Sequence, residues 1–165
     1  MNLPKVVEEA LNEQINHEFY AAYLYLSMSA YCESIRLPGF AHWMRLQSAE
    51  EHSHAMKLFD FVNDRGGRVV LETIAQPPVE FQSVQDVAQR TLEHERYVTE
   101  RINQLFALAV QEKDYATQVH LQWFVAEQVE EEKSASEVVD QLKQFGGRPE
   151  GLLLIDRQLA GRKGD

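Results

Sequence analysis

Side chains that bind metal ions interrupt the apolar faces of four predicted helices. At alternating four- and three-residue spacing, each helix carries an apolar stripe with a polar residue near its midpoint. Each interruption lies about 11 to 13 residues after the start of its own helix, so in a bundle of packed helices all four fall in one layer. One such glutamate alone is more often a boundary residue that reaches water. The interrupting residues are Glu18, Glu51 with His54, Glu95, and Gln128 with Glu131.

This layer places four carboxylates in a core of low dielectric, which costs several kcal/mol for each charge unless the charges are neutralised. No lysine or arginine lies on these apolar stripes. Two divalent cations would balance the four charges. Glu51 and His54 lie three residues apart on one helical face and can bind the same ion. The spacing predicts one site at Glu18, Glu51 and His54, and a second at Glu51, Glu95 and Glu131. Mixed carboxylate and imidazole ligands favour iron or manganese over structural zinc.

The elements that must position these residues follow from the apolar period and from proline and glycine. A first helix of about 28 residues follows Pro4 and ends near Arg36 to Gly39. Gly66 and Gly67 favour a left-handed end to the second helix. Between the second and third helices the period is lost, and only one short strand is allowed, at Arg68 to Glu72. The other helices are predicted at about Phe40–Asp64, Val84–Glu112, Tyr115–Phe145 and 150–161.

The lengths of the connections predict the topology. Short links make the first and second helices antiparallel, and likewise the third and fourth. The link of about 17 residues can span a helix about 40 Å long, which makes the second and third helices parallel. We therefore predict an all-α fold: a four-helix bundle with one long crossover between helices two and three plus a short C-terminal fifth helix. The chain is one domain over 1–165, with the bundle at about 5–145.

Composition narrows the class of protein. A length of 165 residues suits one domain with a core of its own. The formal charge of −10 disfavours binding to nucleic acid or to an anionic membrane. The start of the chain shows no basic run followed by an apolar run, and we expect a cytoplasmic protein. Cys32 is the one cysteine, which fits a reducing compartment and a place in the core. We expect Trp123 to be core.

Three segments resemble the corresponding helices of the non-haem bacterial ferritins: NEQINHEFYAAYLYLSM, EEHSHAMKL and WFVAEQVEEE. The resemblance covers nearly the whole chain. It implies a ferroxidase centre with Glu18, Glu51 and His54 on one iron, and Glu51, Glu95 and Glu131 on the other, beside Gln128. Tyr25 resembles the family's tyrosine near the two irons, where it could donate a hydrogen bond or an electron; plain packing is the alternative. A third iron site is implied at Glu50, Glu127, Glu130 and Glu131, residues that by spacing alone equally suit a solvated acidic face.

Three features depart from related patterns. Gln128-x-x-Glu131 stands where haem-containing bacterioferritins and many di-iron enzymes have a second Glu-x-x-His, so we expect oxidised iron to be released rather than retained. Met56 does not align with the family's haem-binding methionine, and we expect no haem. Gln118 and Leu121 align with the acids that line the threefold pore of animal ferritins, so the route of iron uptake stays open.

The function expected from the resemblance is iron storage. Fe(II) is oxidised by dioxygen or hydrogen peroxide, and the ferric product is deposited inside a hollow homo-oligomeric shell of 24 subunits. The apolar last helix, with Leu152 to Ile155 and Leu159, must pack either on its own bundle or at a fourfold contact of the shell. Two other hypotheses stay open: a small di-iron oxidase or peroxidase that stores no iron, and a metal-free helical binding module. A DNA-coating miniferritin is disfavoured because its iron lies between subunits.

Overall fold

A computed structural model describes residues 2–164, which form five helices and no strand. The predicted all-α fold class is confirmed, with bounds that differ from the predicted ones by one or two residues. The single domain over 1–165 stays a prediction, and its residues 1 and 165 lie outside the described part. No helix in 2–164 is both long enough and apolar enough to cross a membrane. The helices are α1 (Lys5–Ser34), α2 (Pro38–Asp64), α3 (Val84–Gln111), α4 (Tyr115–Phe145) and α5 (Pro149–Ala160).

Two apolar clusters form the core, one at each end of the bundle. One cluster contains Leu3 and the first half of α1 as far as Ile15, together with Leu58 and Val62 near the end of α2. The other takes the second half of α1 and the start of α2, from Phe40 to Met44. The same assignment holds for α3, which begins in the second cluster and ends in the first, and α4 runs the opposite way. Helices α2 and α3 are therefore parallel, as the long crossover predicts.

The crossover between α2 and α3 lies along α1 and is held by side chains instead of a strand partner. Asn12 Nδ2 donates to the Arg68 carbonyl at 3.0 Å, and the Val70 N–H donates to Asn12 Oδ1 at 2.8 Å. The prediction of a short strand at Arg68–Glu72 is wrong because these backbone groups are satisfied by a helix side chain. Gly66 begins the crossover with φ +72°, the predicted left-handed end of α2.

Side-chain caps fix where α3 and α4 begin. Ser83 Oγ accepts from the Asp86 N–H at 3.1 Å at the start of α3. Asp114 accepts from the Thr117 N–H at 3.3 Å at the start of α4. Arg65 Nη1 donates to Asp114 at 2.9 Å, which joins the end of α2 to the start of α4. These bonds satisfy N–H groups that a helix start leaves free, and they set the register of the two helices that carry Glu95 and Glu131.

Helix α5 packs on its own bundle, against the start of α2. The Phe40 N–H donates to Asp156 Oδ1 at 3.0 Å, so a buried carboxylate lies at the N-terminus of α2, where it is electrostatically favoured. A Cβ at Gly39 would lie 1.7 Å from the Asp156 carbonyl oxygen, so only glycine permits this approach. Leu153 and Leu154 point away from the bundle and are exposed.

We predict that Gly39→Ala destabilises the fold because the added methyl overlaps backbone atoms of α5 and not a flexible side chain. The expected cost is about 1–3 kcal/mol, measured as a lower urea midpoint at fixed protein concentration. Gly147→Ala is the matched control, since a Cβ there meets no atom within 4 Å. Equal midpoints for the two variants would show that α5 is not docked as described.

Candidate metal centre

The six polar residues of the predicted layer are all buried, and Glu51 and Glu95 have no exposed surface. The layer lies between the two apolar clusters: on α1, Glu18 separates Ile15 from Ala21. On α2 the same separation lies between Met44 and Leu58. Charged groups here are cut off from water at both ends of the bundle, which makes each one costly unless it is paired.

Glu18, Glu51 and His54 form a group that could hold one metal ion. One ligand atom from each lies within 4.8 Å of the others. His54 Nδ1 is 3.6 Å from Glu51 Oε2. Within 2–164, Glu18 Oε2 and both carboxylate oxygens of Glu51 have no hydrogen-bond partner. Buried acceptors without donors are rare in native proteins, and a bound cation would satisfy all three.

The electrostatics of this group favour a cation. Burial first, and then the charges of Glu95 and Glu18, raise the pKa of Glu51 well above its usual range. Burial lowers the pKa of His54, so its imidazole is neutral near pH 7 and keeps a lone pair for a metal. A bound metal ion would supply the positive counter-charge that an ionised Glu51 lacks in the metal-free protein.

Glu95 is held by two neighbours and does not join either group of close ligand atoms found within 2–164. The Tyr25 hydroxyl donates to Glu95 Oε1, and Gln128 Nε2 donates to Glu95 Oε2 at 3.2 Å. Burial, and next the charge of Glu131, raise the pKa of Glu95 to about 8. A second ion at Glu51, Glu95 and Glu131 would therefore share the Glu95 carboxylate with these two donors or displace one of them.

A second close group consists of His54, Glu127 and Glu131, again with ligand atoms within 4.8 Å. Gln47 Nε2 donates to Glu131 Oε2 at 2.8 Å and fixes that carboxylate. His54 therefore belongs to both groups, which connects the buried centre to the side of the bundle. There, a cavity of about 370 Å³ is lined by four glutamates, called the acidic set below: Glu50, Glu127, Glu130 and Glu131.

Sequence reasoning missed two amides that position the carboxylates. Gln14 Nε2 donates to Glu18 Oε1 at 2.8 Å, and Arg101 Nε donates to Gln14 Oε1 at 3.2 Å. Gln14 lies four residues before Glu18 on the same helix, and that spacing could have revealed it. Gln47 bonds to Glu131 on another helix, which spacing along α2 does not reveal.

One expectation about a single residue is wrong. Trp123 is 40% exposed rather than core, with Lys57 Nζ 4.5 Å from its ring centre on one side and the His54 ring 5.3 Å away. Leu121 is fully buried in the apolar core, so it cannot line a pore between subunits. Gln118 is also turned inward, since its Nε2 donates to the Ala109 carbonyl at 3.1 Å.

The antiparallel bundle with its crossover and buried carboxylate layer defines a protein of the ferritin-like class. The family profile described as Ferritin-like domain matches residues 8–145. The chain is 42% identical over 160 residues to a bacterial non-heme ferritin of Staphylococcus epidermidis, covering 97% of this chain and 96% of that one. A probable bacterial non-heme ferritin-like protein of Haemophilus influenzae is 41% identical over 157 residues, with 95% of each chain covered.

A solved structure gives the same result. An open pore ferritin from the hyperthermophilic archaeon Archaeoglobus fulgidus matches with a TM-score of 0.97 and 51% identity, over 98% of this chain and 100% of that one. The chain belongs to the ferritin family, and the resemblance to non-haem bacterial ferritins is confirmed.

We predict that the metal-free protein loses stability as pH rises from about 4.5 to about 8. The folded state holds protons on Glu51 and Glu95 that the unfolded state releases near its ordinary glutamate pKa, so the contribution of these groups is present at low pH and lost as pH rises through the folded pKa. Thermal midpoints at pH 5, 6.5 and 8 should fall in sequence. Glu95→Gln should flatten the fall, whereas Glu100→Gln, at an exposed position of α3, should not. A midpoint that does not decrease over this range contradicts the assignment.

Proposed function

We propose that the protein is an iron-storage ferritin, a ferroxidase that oxidises Fe(II) at an intrasubunit di-iron centre and deposits ferric mineral within a shell of 24 subunits. The observation that carries the proposal is the set of three buried carboxylate oxygens, on Glu18 and Glu51, that have no hydrogen-bond partner within 2–164 and lie beside His54. Membership of the ferritin family supports it. The same family relationship supports the proposed shell and the proposed cytoplasmic location.

In this proposal Glu18, Glu51 and His54 bind the first Fe(II). Glu51 bridges to a second Fe(II) held with Glu95 and Glu131. Each Fe(II) gives one electron, so two Fe(II), one dioxygen and two protons yield two Fe(III) and one hydrogen peroxide. With hydrogen peroxide as the oxidant, two further Fe(II) and two protons yield two Fe(III) and two water molecules. Two metal ions share the reduction, and neither passes through an unstable oxidation state.

Tyr25 and Gln128 act on the second iron through Glu95. Burial, and next the charge of Glu95, raise the pKa of Tyr25 well above its usual value. The hydroxyl therefore stays protonated and donates a hydrogen bond to Glu95. Binding of the second Fe(II) would exchange that donor for a metal bond. Gln128 Nε2 also donates to the backbone carbonyl of Glu95 at 3.1 Å, which keeps the backbone of Glu95 in place.

Release of ferric iron fits the residues on the α2–α4 side. Glu131 and Gln128 stand where a second Glu-x-x-His would give the second iron a nitrogen ligand. Without it, that iron is held by oxygen donors alone, and the acidic set offers it the next ligands. Each Fe(III) that reaches the mineral reacts with water to form an oxyhydroxide and releases three protons. The proposed steps of iron oxidation and release require no haem.

The first test measures oxidation and storage together. Substituting Glu51→Ala or His54→Ala should slow the initial rate of Fe(II) oxidation in air by about 100-fold or more, because each change removes a ligand to the first iron. His52→Ala, at an exposed position of the same helix, is the matched control and should oxidise at the wild-type rate. Wild-type protein that saturates at about two irons per chain would instead indicate a di-iron oxidase that stores no iron. No uptake of Fe(II) would contradict the proposed metal centre.

Assembly is tested at α5. In the proposed shell of 24 chains of 19.0 kDa, about 456 kDa in all, the exposed leucines of α5 contact neighbouring subunits. Leu154, 69% exposed, has no other evident reason to be apolar. We predict that Leu154→Arg gives a smaller particle by light scattering after size exclusion. Gln158→Arg adds the same charge at another exposed position of the helix and should keep the full size. Full-size particles from both variants would rule out this contact.

A further inference from the structure

The C-terminal tail, Gly161–Gly164, turns back from α5 and lies against the side of the bundle. His42 Nε2 donates to the Arg162 carbonyl at 2.8 Å, and the Arg162 guanidinium lies 5.7 Å from the ring centre of Trp43. Gly164 lines a cavity of about 200 Å³ together with His54 and Glu127. The tail is thus fixed beside the second close group of ligands, at the edge of the metal centre.

Two cations of the tail face the acidic set. Arg162 and Lys163 line the same cavity of about 370 Å³ as Glu50, Glu127, Glu130 and Glu131. Partial burial lowers the pKa of Arg162, while the carboxylates of Glu137, Glu50 and Glu131 act in the opposite direction. An arginine keeps its charge in proteins in any case. The four negative charges of the acidic set therefore lie beside two positive charges from the same chain.

We propose that Arg162 and Lys163 act as a tethered counter-charge of the acidic set and determine how strongly divalent cations bind there. The inference deepens the proposed function, since it concerns the third iron site of that function. A cation that binds the acidic set must displace or repel the two tail cations. Because the tail is part of the chain, it competes at a high effective concentration that does not fall on dilution.

The consequence concerns the order in which sites fill and empty. The Glu18–Glu51–His54 centre is buried, whereas the tail cations line the cavity of the acidic set, so in this proposal the centre fills first and binds most strongly. An ion that leaves this centre meets the acidic set next, because His54 belongs to both ligand groups. The tail keeps its affinity for the acidic set low. Iron there passes on toward the mineral and does not stay.

The test is calorimetric titration of the metal-free full-length protein with Zn(II), which undergoes no redox reaction and serves as the probe. The variant Arg162→Gln with Lys163→Gln removes both tail charges. Arg148→Gln with Arg157→Gln makes the same change of net charge at two exposed positions and is the matched control. We expect the weaker class of Zn(II) sites to bind about tenfold more tightly in the tail variant, and less so in high salt. The stronger class should not change.

A second measurement follows the tail itself. The chain has two tryptophans, so in a Trp123→Phe background only Trp43 emits. Filling of the weaker Zn(II) class should change Trp43 fluorescence when Arg162 is present, since the guanidinium leaves its position over the ring. The change should be absent in the Arg162→Gln, Lys163→Gln variant.

Two results overturn the inference. One is equal affinity of the weaker class in the tail and control variants; the other is Trp43 emission that responds identically with and without Arg162. Failure of the proposed function gives a different result: wild-type protein then lacks the stronger Zn(II) class, or Glu51→Ala leaves that class unaltered. Either of the two results named first would be compatible with the proposed metal centre and would contradict only the role of the tail.

Discussion

Repulsion among carboxylates that are shut away from water is the constraint on which this structure depends. Glu18, Glu51, Glu95 and Glu131 meet in one layer, with an apolar cluster above and another below. Neither cluster supplies a hydrogen-bond donor to Glu51, whose two oxygens have no partner within 2–164. The metal-free bundle therefore holds an unfavourable layer within an otherwise apolar core. Bound metal ions would convert that layer into a favourable one, which would link stability to the proposed function.

Amides rather than cations position this layer. Gln14, Gln47 and Gln128 donate to Glu18, Glu131 and Glu95 respectively, at 2.8 to 3.2 Å. An amide fixes the direction of a carboxylate but adds no charge, so the need for a metal ion remains. A lysine or arginine at any of these positions would form a permanent ion pair and compete with the metal for the same oxygens. Arg101 lies one hydrogen bond further out: its guanidinium donates to Gln14, which in turn donates to Glu18.

The C-terminal part of the chain differs from the layer, because it places cationic side chains beside carboxylates. Asp156 lies at the N-terminus of α2, and this contact brings α5 down onto the bundle through Gly39. The same docking directs Arg162 and Lys163 toward the acidic set. Tail cations thus line the cavity of the acidic set, while amides bond to the carboxylates of the layer, a difference that suits the tight binding proposed at the buried centre and the transit proposed at the acidic set.

The sequence by itself determined the helices, the parallel pair joined by the crossover, and the polar layer, because the apolar period and the connection lengths are local properties of the chain. The tertiary structure decided which oxygens are left without donors: Glu95 is bound by Tyr25 and Gln128, while Glu51 has no such partner. In the tertiary structure, hydrogen bonds to Asn12 also take the place of the strand predicted at Arg68–Glu72, and Trp123 lies exposed. These outcomes depend on side chains of different helices meeting at distances of a few ångströms, and spacing along one helix carries no information about them.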